Sequence, residues 1–198
     1  MATTNRGKLQ EIQRILAGID FELVTLDRWP HVSAPPETGR TFDENARAKA
    51  EYYARATGEL TVAEDSGLEI DALGGAPGVE SARFGGVETT YPEKFAMIYD
   101  ALRAAGAQTS TARFVCALTL ARPGATIFET RATVEGRLAT EPRGTDGFGY
   151  DPIFFYPPFG RTLAEVGARK TEVSHRGQAF RALRAFLEQR SVEGRSGE

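Results

Sequence analysis

Glu64 and Asp65 are adjacent acids that follow the apolar run Leu60-Thr-Val-Ala63 and precede Ser66-Gly67, and Glu37 is a third acid in a separate proline-flanked segment. Hard magnesium ions favour carboxylate oxygens and take one or two of them together with phosphate oxygens and water. If residues 60–63 form a short buried strand, Glu64 and Asp65 leave its carboxyl end, where open α/β sheets bind ligands. The competing reading is a solvated turn, because Asp, Ser and Gly are turn formers. Thr3-Thr-Asn-Arg-Gly-Lys8 precedes a helical pattern, so backbone N–H groups, the helix dipole and the Lys8 ammonium could hold a phosphate there. An exposed glycine turn reads the same way structurally, and the segment lacks the first Gly and the final hydroxyl of a Walker A loop.

Gly147-Phe-Gly-Tyr-Asp-Pro-Ile-Phe154 combines glycines that admit a ligand close to the backbone, aromatic faces that stack on a base, and a carboxylate that can accept hydrogen bonds from its edge. A core-packed aromatic turn is the alternative. Lys170 and Ser174-His175-Arg176 bring cations to a helix start, against the dipole unless an anion sits there. Lys49 lies on an alanine-rich helix, where a solvated lysine is the default. Together these residues suggest an anionic, base-bearing ligand with a metal, and they do not by themselves name a reaction.

The elements that must carry these groups are legible from periodicity and punctuation. Leu9, Ile12, Leu16 and Ile19 recur at helical spacing and Gly18 marks the helix end. Residues 21–26 read as a strand. Thr41-Phe-Asp-Glu44 is a capping box opening a helix to about Thr57, stopped by Gly58, and Thr90-Tyr-Pro-Glu93 opens another with Phe95, Ile98 and Leu102 on one face. Residues 112–122 and 126–138 are β-type runs joined by a Pro-Gly turn, which predicts a hairpin within a mixed sheet. Residues 144–160, rich in glycine, proline and aromatics, read as an ordered loop. A last helix starts near Ser174 with Ala179, Phe180, Leu183, Phe186 and Leu187 inward, and a loose tail is expected over 191–198 after a single domain over 1–190.

Bulk composition narrows the function class. With 198 residues, 41% hydrophobic and 26% charged, the chain has the make-up of a globular domain rather than a disordered one. A net charge of -3 argues against tracking a nucleic acid polymer, which needs many Lys and Arg contacts to phosphates. No 18 apolar residues run together and no apolar signal core opens the sequence, so no membrane partner is expected and the expected location is cytoplasmic. Cys116, the sole cysteine, sits in an apolar run and reads as a buried core thiol.

Taken in order, the Thr3 to Lys8 block, Glu37-Thr-Gly-Arg-Thr-Phe-Asp-Glu-Asn-Ala46, Glu64-Asp-Ser-Gly-Leu68, Leu73-Gly-Gly-Ala-Pro-Gly78, Ser81-Ala-Arg-Phe84, the Gly147 to Phe154 block and Ser174-His-Arg-Gly-Gln178 closely resemble the inosine triphosphatase family, the bacterial non-canonical purine triphosphate pyrophosphatases. The resemblance covers nearly the whole chain. It implies an elongated, two-lobed α/β fold with a central mixed β-sheet flanked by helices and a nucleotide cleft between the lobes, and a homodimer. It also implies Mg2+-dependent cleavage of ITP, dITP and XTP between the α and β phosphates. Transferred residue by residue, Thr3, Thr4, Asn5, Arg6, Gly7 and Lys8 would hold the triphosphate with Lys49 nearby. Glu37, Glu64 and Asp65 would bind magnesium, and Asp65 would also be the base that takes a proton from water. Ser66 would touch substrate, Phe148 would stack on the purine beside Gly149, Tyr150 and Asp151, and Lys170, His175 and Arg176 would close the other side, Arg176 on the 6-oxo group. Two departures are visible: Thr4 replaces a usual glycine, and Met1-Ala2 stand where the family carries several apolar residues, which implies a stunted first strand or a start assigned late.

Overall fold

A computed structural model of the chain describes Met1 and residues 6–195, with backbone alone for residues 6–8, 10 and 191–195. Five helices are found among the described residues: α1 (Arg6–Ile15), α2 (Phe42–Thr57), α3 (Tyr91–Ala104), the one-turn α4 (Lys170–Val173) and α5 (His175–Arg195). The strands β1 (Thr61–Ile70), β2 (Thr111–Arg122), β3 (Ala125–Leu138), β4 (Phe154–Tyr156) and β5 (Arg161–Thr162) form a five-stranded sheet in the order β1-β2-β3-β4-β5. No helix among the described residues is long and apolar enough to cross a membrane.

Local chemistry accounts for the element boundaries. The Glu44 N–H donates to Thr41 Oγ1 at 3.1 Å while the Thr41 N–H donates to Glu44 Oε2 at 3.3 Å, so the expected capping box opens α2. Gly58, at φ 76°, closes it in the left-handed conformation that costs a residue with a Cβ. At α3 the Thr90 N–H donates to Glu93 Oε2 at 2.7 Å. Two residues join β2 to β3, as the hairpin reading required, and β3–β4 and β4–β5 pair antiparallel with registers such as Leu138 opposite Phe154 and Phe155 opposite Thr162. Cross-strand contacts of Asp71 with Thr111 and of Glu69 with Arg113 run in opposite order along β1 and β2, so that pair is antiparallel too.

Three sequence expectations are corrected. Residues 21–25 are not a strand: Leu23 packs on a core cluster, but the Val24 carbonyl accepts its bond from the Met1 ammonium at 2.7 Å instead of from a ladder partner, and a short 3-10 turn follows at Leu26–Arg28. The strand expected over residues 60–63 continues to Ile70, so Glu64, Asp65 and Ser66 lie inside β1 instead of leaving its end. Both acids have buried partners, which lets the strand pass through them. The helix α5 continues to Arg195, beyond Arg190, where the ordered part was expected to stop.

Contacts divide the chain into two compact units, each built from discontinuous segments. The first comprises residues 1–65, 116–132 and 175–198, and the second residues 66–115 and 133–174. In the first, the alternation of β1 decides what faces what. Val62 packs with Ile12 of α1, with Leu16 just after it and with Ala179, Phe180 and Leu183 of α5, whereas Ala63 packs with Ala50 and Ala54 of α2. Glu64 therefore follows Val62 onto the α1–α5 side, and Asp65 follows Ala63 onto the α2 side. The second unit has its own core, in which Leu68 and Ile70 meet Phe95, Ile98 and Leu102 of α3 and the aromatic residues Phe114, Tyr150 and Phe154.

Candidate functional site

On the α2 side of the first unit, three separate segments converge. Asn45 and Lys49 stand one turn apart on α2, the spacing that puts two side chains on one face. Asn45 Nδ2 donates to Asp65 Oδ2 at 3.1 Å, and Lys49 Nζ donates to Asp65 Oδ1 at 3.2 Å and to Glu37 Oε1 at 2.7 Å. The loop bearing Glu37 is docked by the Gly39 N–H, which donates to Asn45 Oδ1 at 2.8 Å. A Cβ at position 39 would lie 2.5 Å from that same oxygen, so only glycine allows this approach. Glu64 does not join the cluster, and no group of three or more His, Cys, Asp or Glu side chains with metal-binding arrangement occurs among the described residues. Glu37 and Asp65 remain a pair of carboxylates sharing one cation.

Burial governs the electrostatics here. It pushes the Asp65 carboxyl above the ordinary range for Asp, and the neighbouring Lys49 charge and the Asn45 hydrogen bond oppose that shift without cancelling it. For Lys49 burial acts in the opposite sense, yet Asp65 and Glu37 outweigh it and raise the ammonium pKa. The result is a charged lysine beside a carboxylate that is more basic than an exposed one, which suits proton abstraction from water.

The other face of β1 holds Glu64. Arg176, at the start of α5 and 2% exposed, donates from Nε to Glu64 Oε1 at 3.0 Å and from Nη1 to Glu11 Oε2 on α1 at 3.2 Å. Cys116 Sγ lies 3.0 Å from Glu64 Oε2, so the buried thiol expected from the sequence is also a donor. Desolvation opposes the Arg176 charge, but Glu64, then Cys116 and Glu11, hold its pKa above the usual guanidinium value. His175, next to Arg176, is buried at the start of α5.

In the second unit the glycine-aromatic loop forms a tight assembly. Lys170 Nζ donates to Asp151 Oδ2 at 2.5 Å and sits 4.2 Å from the centroid of the Phe148 ring, and the Phe148 N–H donates to the same Asp151 oxygen at 2.8 Å. Gly147 takes φ 77° and Gly149 φ 69° to make the turn, and a Cβ on Gly147 would collide with the Asp151 carboxylate. Tyr150 is buried, donates to the Ser81 carbonyl at 2.8 Å and meets Tyr91 edge-on with ring centroids 5.4 Å apart. Burial keeps its phenol protonated far above the usual tyrosine range.

The residues singled out in the sequence thus separate into groups. Glu37, Lys49 and Asp65 converge, Glu64 and Arg176 pair on the opposite face of β1, and Phe148, Gly149, Tyr150, Asp151 and Lys170 cluster in the second unit. Ser66 follows Asp65 in β1. Arg6, Gly7 and Lys8 form the first turn of α1, with backbone alone described, and Thr3, Thr4 and Asn5 lie outside the described residues. Sequence reasoning passed over Asn45, Gly39 and Glu11. Asn45 could have been found from its place four residues before Lys49; nothing in the local sequence marks Glu11 as a partner of Arg176.

An α/β sheet protein with a buried acid-lysine cluster and a cation-backed aromatic loop is the class these features define, one equipped to handle an anionic ligand with a flat ring. The Ham1 family model matches residues 1–186. A dITP/XTP pyrophosphatase of Exiguobacterium sp. strain AT1b is 46% identical over 94% of this chain and 95% of its own length, and a dITP/XTP pyrophosphatase of Gloeobacter violaceus is 47% identical over 92% and 90%. Among solved structures, a HAM1 protein from Coxiella burnetii superposes with a TM-score of 0.89 at 40% identity, covering 95% of this chain and 96% of that one. The chain belongs to the Ham1 family.

Proposed function

We propose that the protein hydrolyses the non-canonical purine nucleoside triphosphates ITP, dITP and XTP to the monophosphate and pyrophosphate, removing them from the nucleotide pool. Membership of a family whose relatives are dITP/XTP pyrophosphatases supports the activity. The observation that carries it is the geometry of the buried Asp65 carboxylate, held between Asn45 and Lys49, with Glu37 on the same lysine. Asp65 accepts a proton from the water that attacks the α phosphorus, a role that needs a carboxylate in a fixed orientation. Lys49 offsets the charge that builds on the departing pyrophosphate. Thr3, Thr4, Asn5, Arg6, Gly7 and Lys8 hold the phosphates at the amino end of α1, where N–H groups and dipole favour an anion.

The donor chemistry fits magnesium. Glu37 and Asp65 already share one cation, the Lys49 ammonium, and magnesium needs only one or two carboxylates beside phosphate oxygens. Glu64 is committed to Arg176 and Cys116, so Glu37 and Asp65 are the residues that would hold the ion. When bound, it supplies neutralisation of the triphosphate charge. Phe148, backed by the Lys170 ammonium, stacks on the purine, and Gly149, Tyr150 and Asp151 complete that wall. The protein is expected to work as a cytoplasmic homodimer, which sedimentation of the purified chain checks.

One product assay separates this reading from its rivals. Incubation with ITP and magnesium should release IMP and pyrophosphate. Orthophosphate as the first product would mark a phosphatase instead, and tight nucleotide binding without turnover would mark a sensor.

A further inference from the structure

The first turn of α3 carries a cation that the proposed reaction does not use. Lys94 is 3% exposed and forms no ion pair among the described residues. A lysine is almost never so enclosed without an acidic partner, because leaving water disfavours its charge. Burial accordingly pulls the Lys94 pKa below the ordinary lysine value. Its Nζ donates to the Ala82 carbonyl at 2.5 Å and stands 5.0 Å from the centroid of the Tyr91 ring. A methionine would fill the same space without taking a charge out of water, so stability does not account for the lysine.

The contacts of Lys94 close a circuit around the aromatic loop. Tyr91 meets Tyr150 edge-on with ring centroids 5.4 Å apart, and Tyr150 donates to the carbonyl of Ser81, the residue before Ala82. One turn of α3 thus grips the Ser81-Ala-Arg-Phe84 segment through Lys94 and the loop through Tyr91. A Cβ built on Gly149 would lie 3.6 Å from the Tyr91 hydroxyl and 3.8 Å from its ring, so the backbone just after Phe148 rests against Tyr91. An ammonium on the ring face orients that ring, and a desolvated cation holds an aromatic face more strongly than an exposed one. We propose that Lys94 and Tyr91 are positioning residues: the Lys94 ammonium aims the Tyr91 ring, and the ring sets the 149–150 backbone so that Phe148 presents its face to a purine. This rests on the pyrophosphatase reading above and places part of the control of base binding in α3, outside the loop itself.

The test compares full-chain Lys94→Met, Tyr91→Leu and Tyr91→Phe with wild type by thermal unfolding, by kcat and KM for ITP, and by calorimetric binding of IMP and of inorganic pyrophosphate. A base-aromatic stack is worth about 5- to 150-fold in affinity, and a misaimed one forfeits part of it. Lys94→Met and Tyr91→Leu should therefore each raise KM for ITP and weaken IMP binding roughly 3- to 30-fold. Their kcat and pyrophosphate affinity should stay within about threefold of wild type, because Asp65 and the phosphate-holding residues are untouched. Lys94→Met should melt within about 3 °C of wild type or above it, since the enclosed charge costs more than the loss of a donor to one carbonyl. Tyr91→Phe keeps the ring and should bind IMP within about threefold of wild type. Wild-type KM and IMP binding in Lys94→Met would mark a structural residue and overturn the proposal. So would Tyr91→Phe as impaired as Tyr91→Leu, which would make the hydroxyl the active part, or pyrophosphate binding weakened together with IMP binding. If Lys94→Met does not fold, the two Tyr91 variants decide by the same criteria. Absence of pyrophosphate release by the wild-type protein is a different result, which defeats the functional reading, while IMP binding by the variants still tests the positioning.

Discussion

At the scale of single residues, the chemistry depends on charges placed where burial alters their behaviour. Asp65 is more basic than an exposed aspartate because desolvation outweighs the attraction of Lys49 and the Asn45 bond, and Lys49 stays protonated because two carboxylates face it. The aromatic loop relies on the same economy of partners, with Asp151 accepting from both Lys170 and the Phe148 backbone. Phe148→Ala should remove the stacking face, and a base-aromatic stack is worth about 1–3 kcal/mol, so KM for ITP should rise roughly 5- to 100-fold while kcat changes little, as steady-state kinetics would show. Gly147→Ala places a Cβ against the Asp151 carboxylate on a backbone at φ 77°, and thermal unfolding should register a loss of about 1–3 kcal/mol. A melting temperature equal to wild type would mean the loop adapts and the clamp is not rigid.

At the scale of elements, α2 is the platform: its capping box starts it and its face carries Asn45 and Lys49 to β1. Thr41→Ala should cost about 1 kcal/mol in urea unfolding, in line with the loss of a cap. The helix α3 is tied through Tyr99, whose hydroxyl donates to the Ala139 carbonyl at 3.1 Å just after β3. Burial, with Glu141 nearby, pushes the Tyr99 pKa up to about 12 from 10. The folded state therefore holds this proton more tightly than the unfolded chain, so the contribution to stability is complete below pH 10 and is lost as the pH rises towards 12. Tyr99→Phe should lower stability at pH 8 by about 0.5–1.5 kcal/mol and make the decline between pH 10 and 12 shallower than in wild type. Parallel curves for the two proteins would show that Tyr99 does not carry the alkaline loss.

Elements with local signals were legible in the sequence. The two capping boxes, the glycine after α2, the Pro-Gly hairpin and the inward face of α5 are all written in neighbouring residues, and each forms as read. The length of β1 was not legible, because two acids in a row look like the end of an apolar strand. They remain inside it since Arg176 is delivered to Glu64 from 112 residues away and α2 delivers Asn45 and Lys49 to Asp65. The same cause limited the reading of the site. Types and order of the residues identified Glu37, Asp65, Lys49 and the 148–151 loop, but strand alternation separates Glu64 from the other acids, and only the fold shows which carboxylate has an arginine beneath it.

For the whole molecule, each of the two compact units carries its own set of charged and aromatic residues. The first gathers acid, lysine and the amino end of α1, suited to phosphates and proton transfer, and the second gathers the aromatic loop and its cation, suited to a flat ring. The chain passes through the first unit three times and the second twice, so neither is a separable segment of sequence. The account depends most on Asp65 acting as the base. The direct measurement is pyrophosphate release from ITP by Asp65→Asn, alongside calorimetric binding of ITP to the same protein. Turnover should fall about 100- to 10,000-fold while ITP still binds within about tenfold of wild type, the range expected on losing a general base. An Asp65→Asn enzyme that releases pyrophosphate at a rate within threefold of wild type would contradict the account.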